Sequence, residues 1–62
     1  MLFPEKYKSE IIASAYRVST RLLGGEDVGN IVQSLYNTGW YYDEVNKIML
    51  VARLIAKRGA AA

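Results

Sequence analysis

Cysteine and histidine are both absent from this 62-residue chain, and proline occurs once. Without cysteine there is no disulfide, the commonest staple of a small domain. Without histidine as well, the usual zinc ligand sets cannot be assembled. The same two absences remove the commonest general base and the most readily activated nucleophile. The carboxylates that remain include two adjacent pairs, Glu26-Asp27 and Asp43-Glu44, and adjacent residues on a helix point in different directions. Glu10 or Glu44 could contribute to an acid/base pair across a cleft, but nothing selects them. No calcium-loop spacing or GxxxxGK[ST] pattern occurs. Gly24-Gly25 is followed by two acids, which would repel a phosphate. The composition therefore leads us to expect no enzyme, no metal, no cofactor and no small-molecule substrate.

Long apolar runs are missing too. The longest, Ile48 to Ala52, has five residues, against about 18 for a membrane span. Met1-Leu2-Phe3 is apolar, but charge begins at Glu5 and Lys6 before a signal-peptide core can form. These features, with the lack of cysteine, lead us to expect a soluble cytoplasmic protein without a membrane partner. Net charge is small, +2 from eight basic and six acidic residues. Its placement says more than its sum. Both acidic pairs stand where helices would start, and Lys57-Arg58 stands where the last would end, as helix dipoles favour.

What is present is helical periodicity. Pro4 suits a first helical position, and Tyr7, Ile11, Ala15, Val18 and Leu22 come after it at helical spacing. Gly24-Gly25 is a C-terminal stop, and Glu26 or Asp27 can cap the second helix. Val28, Ile31, Val32, Leu35 and Tyr36 make a compact second stripe, in which Gly29 either weakens the helix or marks a close helix contact. Asn37-Thr38-Gly39 reads as a turn. The spacing predicts an all-α, single-domain chain with helices over about 4–23, 27–37 and 41–58. The outer pair is expected to be long and antiparallel or steeply crossed, and residues 59–62 to be a frayed end or sequence left over from cloning.

The last helix is apolar on two sides. At about 100° per residue, Tyr41, Val45, Ile48, Met49, Ala52, Ile55 and Ala56 gather on one face, the expected core face. Leu50, Val51 and Leu54 fall on the other among Lys47, Arg53, Lys57 and Arg58. A second stripe normally meets a partner. In the first helix, Ile12, Tyr16 and Leu23 also widen the apolar face. A chain of this length buries only about 60% of its unfolded surface, and association is the remedy left once disulfides and metals are excluded. We therefore expect a small regulator or inhibitor acting by occlusion, an economy that would suit a viral or mobile-element protein. It would form a homodimer, bind an acidic protein surface, or do both, using Leu50, Val51, Leu54, Lys47, Arg53 and Arg58. Trp40 and Tyr42 are added because exposed aromatics anchor interfaces, while Tyr41 is assigned to the core.

A second reading comes from the order short helix, glycine-containing turn, longer helix over residues 28–58. The segment Thr38-Gly39-Trp40-Tyr41-Tyr42-Asp43-Glu44-Val45 resembles the turn of helix-turn-helix regulators. That resemblance implies DNA binding, with Asn46 and Lys47 offered near the start of a reading helix, where asparagine can read adenine. Asp43 and Glu44 near the phosphates, and Leu50 and Leu54 on the outward face, count against it.

Overall fold

The computed structural model describes the backbone from Pro4 to Ala61 and the side chains of residues 8–59. Three helices make up the fold: α1 (Pro4–Leu23), α2 (Val28–Thr38) and α3 (Tyr42–Ala61). This is the all-helical, three-helix architecture read from the periodicity, with no strand among the described residues.

Both connections are built the same way. Gly25 adopts φ 87° and Gly39 φ 113°, a left-handed region closed to most side chains. At the end of α1, the Gly25 N–H donates to the Leu22 carbonyl at 3.0 Å and the Glu26 N–H to the Arg21 carbonyl at 3.1 Å. At the end of α2, Gly39 donates to Tyr36 at 3.0 Å and Trp40 to Leu35 at 3.3 Å. Each pair is a Schellman motif, which satisfies carbonyls that a helix end would otherwise leave open. Asp27 caps α2, its carboxylate accepting the Asn30 N–H at 3.2 Å. Tyr41 caps α3: its N–H donates to Glu44 Oε1 at 2.7 Å and its carbonyl accepts from Val45 at 2.8 Å. The glutamate reaching back from the third helical position is one half of a capping box.

The core is drawn from all three helices. Ile11, Ala15 and Val18 of α1, Ile31 and Leu35 of α2, and Val45, Ile48, Met49 and Ala52 of α3 are buried together. Leu22, Val32, Trp40, Val51 and Ile55 pack around them half-buried. The central contact is α1 on α3, with short α2 lying against both. Among the described residues no buried side-chain polar atom lacks a partner, and the buried Ser19 hydroxyl donates to the Tyr16 carbonyl at 2.7 Å.

Of the two arrangements expected of the outer helices, antiparallel or steeply crossed, the antiparallel one is not found, and four further expectations change. Trp40, just before α3, lies beside Ser14, Arg17 and Val18, while Gly59 near the end of α3 lies beside Leu23 at the end of α1. The two helices therefore run in the same sense, because α2 reverses the chain between them.

Tyr41 is not in the core; it is 76% exposed. As the capping residue it has left the helical register that would have aimed it inward, and Trp40 is the aromatic that packs on the core instead. The residue after a Schellman glycine commonly contacts the third-last helical residue, here Leu35. Val51 is half-buried rather than outward, since it stands about 100° round from Leu50. The helix does not stop at 58 but continues to Ala61, as its alanines favour. Gly29 marks no helix contact: a Cβ there would meet Asp27 Oδ2 at 3.0 Å, so glycine leaves room for the cap. The Tyr7 side chain lies outside the described residues.

Candidate docking face

The outward side of α3 carries the exposed apolar surface foreseen from its spacing. Leu50 is 64% and Leu54 56% exposed, one turn apart along a ridge. Asp43 lies on this line, while Lys47 and Arg58 stand about 40–60° round on one side of it and Lys57, Asn46 and Arg53 about 40–80° round on the other. All six are exposed. None of the four cations makes an ion pair among the described residues. The ridge is thus apolar in the middle, basic along its flanks and far end, and acidic only at Asp43.

Beside the ridge runs a groove that depends on α2. A cavity of about 300 Å³ is lined by Val32 and Tyr36 of α2 and by Val45, Asn46, Met49, Leu50 and Arg53 of α3. Met49 and Val45 are buried, Val32 is half-buried, and Tyr36 and Leu50 stand exposed as opposite walls. Val28, one turn before Val32 on the same side of α2, is 40% exposed. Sequence reasoning misses these α2 residues as part of a site. Their signal is the i, i+4, i+8 series Val28, Val32, Tyr36, which spacing alone assigns to the core or, for Tyr36, to the core or its rim.

Trp40 is not brought to this face. It lies on the other flank of α2, in a cavity of about 350 Å³ with Glu10, Ala13, Ser14, Arg17, Thr38 and Gly39. The cleft carries opposite charges and two hydroxyls, Ser14 and Thr38, and no cluster of exposed apolar side chains. Tyr42 is 67% exposed on the first turn of α3, about 80° from the leucine line. Asn46 and Lys47 are exposed on either side of that line. Ile12, Tyr16 and Leu23 of α1 are also exposed, and none of them lines either of these two cavities.

Among the described residues no cluster of metal-ligating side chains occurs, and no helix is long and apolar enough to cross a membrane. The chain thus falls in the class of small three-helix domains with an apolar, basic-rimmed face on the last helix. No protein-family model, curated protein or solved structure matches it.

Proposed function

We propose that the protein is a non-catalytic interaction module that takes up a helix of a protein partner in the α2–α3 groove. The exposed leucine ridge carries this reading: Leu50 and Leu54 stand in water beside a groove floored by buried Met49. A groove between two helices, beside leucines one turn apart, suits an amphipathic helix whose anchors recur at i, i+3, i+4 and i+7. Occlusion of a partner's surface is the mode of action that fits, in keeping with a small regulator or inhibitor.

The helix-turn-helix alternative gains no support from the geometry. Asp27 lies at the start of α2 and Asp43 and Glu44 in the first turn of α3. Those are the helix ends that would otherwise attract phosphate.

The docking reading is tested with a synthetic amphipathic peptide whose leucines repeat at helical spacing and whose polar face is uncharged. Backbone amide shifts should move around Val32, Tyr36, Met49, Leu50 and Leu54, and Leu50→Glu together with Leu54→Glu should abolish the movement. Absence of any shift at these positions rejects the groove as a docking site.

A further inference from the structure

Resting on that docking reading, we infer that the occupant is an acidic amphipathic helix of a separate protein, its carboxylates lying over Arg53, Lys57 and Arg58. The charge arrangement around the groove supports this. Lys47, Arg53, Lys57 and Arg58 flank or continue the leucine ridge, all exposed and none ion-paired among the described residues. Asp43 is the one carboxylate on that line and stands at its start, seven residues before Leu50, whereas Lys57 stands seven after it. An incoming helix would therefore find apolar contact along its middle and positive charge, without an ion-pair partner among the described residues, toward the C-terminal end of α3. The contrasting case is Arg21, whose guanidinium is taken up by Glu26 and by Ser34 Oγ at 2.9 Å. Among the described residues Arg21 is the one cation with an ion-pair partner; the α3 cations, like Lys8 and Arg17 of α1, have none.

A second copy is the weaker candidate on the same grounds. Two α3 faces brought together would set four cations and one acid of each chain against the same set. Only Asp43 could answer Lys57 and Arg58 of the other copy. Like charges juxtaposed across an interface work against association, whereas acids opposite the four cations favour it and speed encounter.

Three peptides with one leucine pattern and glutamate, glutamine or lysine on the polar face separate these cases, titrated into the intact protein. The glutamate peptide should bind about tenfold or more tighter than the glutamine one, as several exposed charge pairs would give. That preference should shrink as salt rises. Lys57→Glu with Arg58→Glu, neither of which lines the groove, should transfer the preference to the lysine peptide while the glutamine peptide binds as before. Both positions are exposed, so the fold should survive, which helical circular dichroism would check.

Equal affinity for all three peptides overturns the acidic assignment yet leaves the docking groove standing. No binding of any of them overturns both. Sedimentation across a wide concentration range covers the remaining outcome: a dimer that Leu50→Glu dissolves would show the face already occupied by a second copy and would overturn the inference.

Discussion

Single residues at the helix ends decide how this chain turns. Gly39 holds φ 113°, and a Cβ there would meet nothing within 4 Å. Replacing it with alanine therefore tests backbone strain with no steric clash mixed in. Gly39→Ala should cost about 1–2 kcal/mol, read as a lower urea midpoint with unchanged slope. The Arg21–Glu26 pair closing the first connection behaves differently, because it is exposed and titrates. The Arg21 guanidinium, hydrogen-bonding Glu26, holds that carboxyl below the ordinary glutamate range. A carboxyl depressed in the folded state adds stability that is complete above its unfolded-state value and disappears as pH falls through the folded one. Glu26→Gln should thus lower the thermal midpoint at neutral pH, and the gap from the parent chain should close in acid and shrink in salt. A gap that persists in acid would mean that the pair is not its source.

At the scale of the helix, α3 divides its apolar residues between two tasks that mutation should separate. Ile48 is fully buried in the core, and Ile48→Ala should cost about 2–4 kcal/mol through lost burial and the cavity left behind. Leu50→Glu, two positions on and exposed, should change stability by no more than about 0.5 kcal/mol while removing peptide binding. Equal destabilisation by the two, measured by urea denaturation, would place Leu50 in the core. The division was legible in the sequence because it depends on helical spacing alone: Val45, Ile48, Met49 and Ala52 repeat toward one side, Leu50 and Leu54 toward the other. Helix existence and the glycine stops were legible for the same reason, being local. What spacing could not supply was placement between elements. Tyr41 and Trp40 are neighbours of similar chemistry, and the Schellman turn assigns one to water and the other to the core. The α2 wall of Val32 and Tyr36 was hidden likewise, since a stripe on a short helix looks like core until its neighbour's position is known.

The whole molecule has a core shared by three helices and few other means of holding itself together. A 62-residue chain with no disulfide buries a limited share of its surface, and its exposed leucines, together with Val28 and Tyr36, add nothing to the folded state until they are covered. Binding should therefore stabilise the fold visibly, because a ligand that favours the native form raises stability by mass action. At about a hundredfold excess over the dissociation constant the gain is about 2.7 kcal/mol. In a domain of this size each kcal/mol moves the melting midpoint by about 4–8 °C. Saturating acidic amphipathic peptide should raise the midpoint by about 10–20 °C, measured by circular dichroism at a wavelength corrected for the peptide's own helix signal. The shift should be smaller in high salt and absent for Leu50→Glu. That variant separates the groove from the exposed α1 residues Ile12, Tyr16 and Leu23, because a peptide bound there would stabilise the parent chain and Leu50→Glu equally.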